Sequence, residues 1–402
     1  MGVITSVGRS PGELWENLLA EKTGVRVCNR FDTSELHAKC AAQADDFDPL
    51  ALFSARRMKR LDRYSQMSLA CAKAAALDAG LDIDPGNRRE RFGVVAGTAL
   101  GGICSAEVQH EIFLRQGPGA INPMLALLVF GGSSSSNIAI DFGFTGVNQT
   151  NSNSCASGTM ALGDAFRLIR SGRADVIISG AAEAPLYPLT FTAFDIIRTM
   201  SAQRDPLLAC RPFDNNRDGF VMGEGAAMLV LESLEHAQAR GARIFAEVSG
   251  YGCNNDAFHM TGSLKNGECA ARCMHDAIAE AGLRPEDIDY VNPHASSTPM
   301  NDRNEATAMR KVFGEYTEKL LVSGTKGCHG HPLGATGAIE AVITALALDR
   351  QFVPANVGLR EPDLACALPL VRKSRPAALR AALSNSFGFG GINATLVFKR
   401  FL

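Results

Sequence analysis

No Cys-x-x-Cys pair occurs in this chain, although it carries eleven cysteines. They stand at positions 28, 40, 71, 104, 155, 210, 253, 269, 273, 328 and 366, an odd set scattered through apolar runs. That distribution excludes a disulfide frame and a regularly spaced zinc site, and it reads as reduced thiols. No basic segment leads into an apolar run at the N-terminus, and no stretch of about 18 apolar residues follows, so neither a leader nor a spanning helix is expected and the expected location is cytoplasmic. Neither sign of charge is in excess: 40 Lys and Arg face 42 Asp and Glu, for a net charge of −2. Charge-driven binding to nucleic acid is thereby excluded. The Gly-rich turn Gly97 to Gly102 contains neither GxGxxG nor GxxxxGK[ST], so it is read as a tight strand-to-helix turn and not as a phosphate loop.

What the chain does have is length and alternation. Its 402 residues, 46% of them hydrophobic, suffice for two domains or one large duplicated fold with a sizeable core. Pro11 to Leu19 reads as a helix with proline in its first turn, followed by a polar, irregular stretch to about residue 48. A locally basic segment, Ser54 to Tyr64, leads into a helix over Ser65 to Ala79 that Gly80 ends. Buried strands are expected at Phe92 to Gly97, Ala174 to Gly180 and Ala226 to Leu231, and from Ile244 to Val248 onward the alternation begins again. The run Gly131 to Asn137 reads as a helix start or a tight packing contact rather than a linker. Beyond it come helices near 267–281, 301–313 and 334–349, strands near 288–292 and 320–323, and a closing strand pair around a Gly-rich turn at the C-terminus. Such alternation argues for layered α/β architecture, in two halves, 1–240 and 241–402, between which no sequence repeat is visible.

Three positions carry candidate chemistry. Cys155, set among small residues ahead of the helical run from Met160, falls at a helix N-terminus, where free N–H groups and the macrodipole stabilise a thiolate and lower its pKa. The competing reading is a small buried filler. His294 follows the strand ending in Asn292, and His331 lies on the loop after the next strand; both fall beyond strand carboxyl ends, where open sheets keep their ligand crevices. Each is either a proton-exchanging or oxyanion-binding group or an ordinary loop histidine. Cys328, His329 and His331 stand close together, but no fourth ligand is recognisably spaced and no metal is expected.

Taken in order, Ser154-Cys155-Ala156-Ser157-Gly158, Arg211 to Gly225, His294-Ala295-Ser296-Ser297-Thr298, Thr325-Lys326 with Gly330-His331, and Asn385 to Asn393 resemble the β-ketoacyl-(acyl carrier protein) synthases over nearly the whole chain. The resemblance implies the thiolase fold, two similar βαβ halves in five α-β-α-β-α layers, and usually a homodimer, with a related synthase subunit as the heterodimeric option. It implies that Cys155 accepts an acyl group from acyl carrier protein, and that malonyl on the same kind of carrier loses CO2 and attacks it to give a 3-ketoacyl product. His294 and His331 are then donors to enolate charge, and the amides of Cys155 and Phe389 form a second oxyanion hole. Lys326 matches the family's fourth polar residue, with Glu340 either its partner or an ordinary surface carboxylate. Phe389 matches a gate, and Ser296 and Thr298 match hydroxyls that bind the phosphopantetheine arm. No tightly bound cofactor is implied. The cluster Arg56, Arg57, Lys59, Arg60 and Arg63 reads as a solvated face or, given an acidic carrier, as its docking site.

Three departures from the family pattern are visible. The first strand is expected to be missing ahead of the segment Gly2 to Gly8, so that either the start is misplaced or one sheet is short. Ala295 and Ser296 replace glycine and threonine, and His329 stands where threonine is common. Two other functions share these features: a non-condensing, chain-length-factor-like subunit, which the retained Cys155 disfavours, and a cysteine acyltransferase or hydrolase, which Lys326 and the second histidine disfavour.

Overall fold

The computed structural model describes residues 1–402. Two five-stranded sheets organise it. The first contains β1 (Gly2–Ile4), β2 (Phe92–Gly97), β3 (Asn148–Asn151), β4 (Val176–Glu183) and β5 (Gly225–Glu232), in spatial order β1-β5-β4-β2-β3. The second contains β6 (Glu247–Asn255), β7 (Tyr290–Asn292), β8 (Leu321–Val322), β9 (Ala381–Gly388) and β10 (Ile392–Lys399), in order β8-β7-β9-β10-β6. Numbered within its own set, each sheet reads 1-5-4-2-3, with strand 5 antiparallel to both neighbours and strands 4, 2 and 3 mutually parallel. The duplication invisible in the sequence is thus explicit in the topology.

Helices fill three layers around these sheets. Helix α1 (Arg63–Asp78) and α2 (Ser133–Phe142) cover the outer face of the first sheet. Helices α4 (Glu268–Glu280) and α5 (Pro299–Phe313) lie outside the second. Between the sheets run α3 (Ser157–Arg170) and α6 (Thr336–Arg350). Every residue of α6 from Thr336 to Leu348 is buried, which explains why its run GAIEAVITALAL is apolar on all sides rather than striped. The central cluster joins Leu162, Ala165 and Ile177 to Ile339, Val342, Leu346 and Leu396 across both sheets. Five layers, α-β-α-β-α, result. No helix is long and apolar enough to cross a membrane.

The sequence reading needs four corrections. Strand β1 exists: Gly2, Val3 and Ile4 pair with Met228, Ala227 and Ala226, so the first sheet has its five strands. The polar stretch before residue 48 contains a hairpin, Val25–Val27 with Cys40–Ala42, too short to show a period of two. Strand β6 begins at Glu247, because residues 242–246 form the connection between the sheets. Asn148–Asn151, four polar residues, forms β3 at the sheet edge, where half-exposed positions require no apolar alternation.

Candidate active site

Equivalent loops of the two sheets meet at one point. Strand 3 of each sheet feeds an inner helix: β3 runs through a 3-10 turn, Ser154–Ala156, into α3, and β8 leads through Lys326–His329 and Leu333–Ala335 into α6. Cys155 lies in the first connection and His331 in the second. The inner helices touch at their first turns, where a Cβ on Gly158 would stand 2.8 Å from the Ala338 amide and one on Gly337 2.8 Å from the Thr159 amide. That contact brings His331 Nε2 to 3.2 Å from Cys155 Sγ. The segment Arg211 to Gly225 supports the pair from behind: His331 N–H donates to Val221 O at 2.8 Å and Gly223 N–H to His331 O at 3.1 Å.

His294 arrives from the loop after β7, with its ring 5.3 Å from that of His331 and near-perpendicular to it. Its main chain is held at both ends. The amides of His294 and Ala295 donate at 2.8 Å each to the two oxygens of Glu305 on α5, and the Lys326 ammonium donates to His294 O. Lys326 also meets Glu340 of α6 at 2.5 Å, both fully buried, which makes Glu340 the partner of Lys326 and not a surface carboxylate. Ala295 takes φ +40°, a left-handed conformation that glycine adopts without strain.

Electrostatically the site is dry. Burial, reinforced by Lys326 and His331, holds His294 well below its ordinary pKa; burial with Lys326 and His329 does the same to His331. Both rings are neutral, with one donor and one acceptor each. Burial also pushes the Cys155 thiol up, over the opposing pull of the Ser154 hydroxyl, Lys326 and the Phe389 amide. The expected depression of this pKa by the helix start is therefore overturned, because desolvation of the thiolate outweighs the nearby donors. His329, the departure from the family pattern, points Nε2 at Thr325 Oγ1, 3.0 Å away, and burial drives it down to about 3.

Above the thiol is a cavity of about 270 Å³ bounded by Cys155, His294, His331, Ser296, Thr298 and Phe389. Ser296 and Thr298 share a hydroxyl hydrogen bond of 2.9 Å at its wall. Phe389, at the turn between β9 and β10, stacks on Phe194 with ring centroids 6.2 Å apart. Gly388 permits this approach: a Cβ there would lie 3.2 Å from the Cys155 amide. Arg198, exposed at the same rim with φ +57°, was not singled out in the sequence. Nor were Glu183 and Glu305, both buried and both raised by burial to about 7.

The basic cluster divides. Arg63 turns inward, with Nε and a terminal amine each 2.8 Å from the Glu224 carboxylate, and Arg57 pairs with Asp141 at 2.8 Å. Arg56, Lys59 and Arg60 remain exposed. The sequence showed five cations in a row but not that Glu224, some 160 residues on, claims one of them.

Two equivalent halves in five layers define a thiolase-fold protein, here with one thiol and two neutral imidazoles at the seam. Comparison with known proteins narrows the class. Residues 1–237 match the model for the beta-ketoacyl synthase N-terminal domain and residues 245–360 that for its C-terminal domain. The 3-oxoacyl-[acyl-carrier-protein] synthase 2 of Staphylococcus aureus is 39% identical over 402 residues, all of this chain and 97% of the relative, and that of Synechocystis sp. is 40% identical over 403 residues with the same coverage. Among solved structures, a beta-ketoacyl synthase from Burkholderia phymatum superposes with a TM-score of 0.93 at 34% identity. A type II polyketide ketosynthase in complex with its acyl carrier protein gives 0.90 at 33%; each covers all of this chain and 98% of the other. The chain belongs to the β-ketoacyl synthase family.

Proposed function

We propose that this protein condenses an acyl group held on Cys155 with malonyl on acyl carrier protein, releasing CO2 and forming 3-ketoacyl-acyl carrier protein, in fatty-acid or polyketide assembly. The observation that carries the reading is the convergence of one thiol, two neutral imidazoles and the Phe389 amide on a single cavity. In the first step the Cys155 sulfur attacks the carrier thioester carbonyl. The new C–S bond forms, the carrier's C–S bond breaks, and the Cys155 proton passes by way of His331 Nε2 to the departing thiol. The Cys155 and Phe389 amides face the oxyanion of that step. In the second, the malonyl C–C bond to the carboxylate breaks, and His294 and His331 donate to the enolate oxygen. The enolate carbon then attacks the acyl carbonyl and the Cys155 sulfur leaves. The Thr336 hydroxyl, 2.9 Å from His331 Nδ1, can accept from or donate to it, so both tautomers of that ring are satisfied.

The phosphopantetheine arm is read as entering past Ser296 and Thr298 under Phe389, with Arg198 at the rim for its phosphate. Arg56, Lys59 and Arg60 are the exposed cations left to attract an acidic carrier, chiefly through the association rate. A homodimer is inferred at the edge strand β3, flanked by the exposed apolar side chains Phe130 and Ile140. A ketosynthase/chain length factor complex of TM-score 0.92 at 34% identity makes a heterodimer the second reading. Sedimentation of the purified chain separates the two. The halves 1–240 and 241–402 are proposed as the folding units. The decisive assay mixes the protein with acyl- and malonyl-carrier thioesters and follows CO2 and 3-ketoacyl product. Cys155→Ala is expected to make none, and product formation by that variant at the parent rate ends the reading.

A further inference from the structure

The loop after the second strand of each sheet is held in the same way. In the second half Glu305 takes the consecutive amides of His294 and Ala295. In the first, Glu183 at the end of β4 takes the consecutive amides of Ala99 at 2.6 Å and Leu100 at 3.2 Å. Glu183 goes further, accepting from the Thr98 hydroxyl at 3.1 Å and, across the seam, from the Gly334 amide at 3.1 Å. It is almost wholly buried. Three of its four partners are backbone N–H donors, at least one on each carboxylate oxygen, and only the Thr98 hydroxyl can also accept; an amide in its place turns an NH2 against an N–H. Ala99 and Leu100 pack into the apolar cluster that contains Cys155, Phe220 and Leu333, while Gly334 lies three residues beyond His331. One carboxylate therefore fixes both the apolar wall beside the thiol and the turn that follows the histidine facing it.

We propose that Glu183 is a positioning residue for the acyl half-reaction, holding the Ala99–Leu100 wall against Cys155 so that it sets the rate of Cys155 acylation and its preference among acyl chains. Glu305 holds His294 for the malonyl half by the same device. The assignment rests on Cys155 as the acyl acceptor.

The test separates the two half-reactions in the full-length protein. Acylation of Cys155 by short-chain and long-chain acyl-carrier thioesters is timed by intact mass, and malonyl-carrier decarboxylation without acyl donor is followed as CO2 release. Glu183→Gln is expected to slow acylation at least about tenfold, as small misplacements of a reacting group do, to level the short-to-long rate ratio, and to leave decarboxylation largely intact. Glu305→Gln is expected to show the reverse. Thr98→Val, which removes one of the four bonds, shifts the ratio in the same direction by roughly fivefold, the worth of one hydrogen bond. Unchanged acylation and ratio in Glu183→Gln, or acylation and decarboxylation falling together, overturn the proposal. If Glu183→Gln fails to fold, an unchanged ratio in Thr98→Val does so. Absence of any acyl-enzyme in the parent protein would instead remove the Cys155 reading itself.

Discussion

Lys326 and Glu340 form a fully buried ion pair, and such a pair is strongly destabilising to break from one side because the survivor keeps its desolvation cost. Burial already pushes the Glu340 carboxyl up against the pull of Lys326. Lys326→Met is therefore expected to cost about 3 kcal/mol or more at pH 8, measured by urea unfolding. The loss should differ little at pH 6, because the orphaned Glu340, raised to about 8 even with Lys326 beside it, keeps its proton at both pH values. Adding Glu340→Leu should recover most of the stability at both pH values while His294, whose carbonyl Lys326 holds, stays out of register and activity stays low. Four residues that touch the cavity were legible in the sequence: Cys155, His294, His331 and Phe389 all sit in motifs, as does the buried Lys326. Glu183 and Glu305 were not, because their partners are backbone amides, which leave no side-chain signature to read. The state of Cys155 was misread for a related reason: a helix start shows in the sequence, but the depth at which it is buried does not.

At the scale of elements, the catalytic distance depends on how closely α3 and α6 approach, and the second residue of each helix is glycine. A methyl on Gly158 would meet the Ala338 amide and one on Gly337 the Thr159 amide and hydroxyl; the hydroxyl can rotate away, but the two amides cannot. Gly337→Ala is expected to lower stability by about 1–3 kcal/mol, the usual range for overpacking, and to lower the condensation rate more than the stability loss explains, since it separates the loops carrying Cys155 and His331. A variant that loses stability but keeps its rate would show that the loops, not the helix contact, set the 3.2 Å separation. Strands and helices with strong apolar runs, β2, β4, β5 and α6 among them, were readable from pattern alone. Strands β1 and β3 escaped for opposite reasons. Only Gly2–Ile4 pairs in β1, too little for a period, and β3 is polar because it occupies an edge. The matching order of the two sheets escaped as well, since topology depends on which strands pair and not on which residues repeat.

For the whole molecule, the site's dryness predicts an unusual pH dependence. Glu183 and Glu305 carry folded-state pKa values of about 7 against an ordinary 4.5, so between these values the folded chain binds more protons than the unfolded one. Stability then falls as pH rises through that window and levels off only about one unit above pH 7. His294, His329 and His331 act oppositely: held neutral in the fold and free to protonate at 6.5 when unfolded, they make stability fall as pH drops below 6.5. Between pH 6.5 and 8 the histidine contribution fades while the carboxylates still titrate. Glu340, raised to about 8, titrates in the same window, so stability of the parent protein is expected to decline there by about 1 kcal/mol per pH unit, read from urea midpoints at pH 6.5, 7.2 and 8. Glu183→Gln removes one of these three carboxylates and should flatten that decline even where its lost hydrogen bonds lower stability overall. A slope in the variant equal to the parent's would place the Glu183 proton elsewhere and leave the carboxylate ionised throughout, bound by its four donors alone.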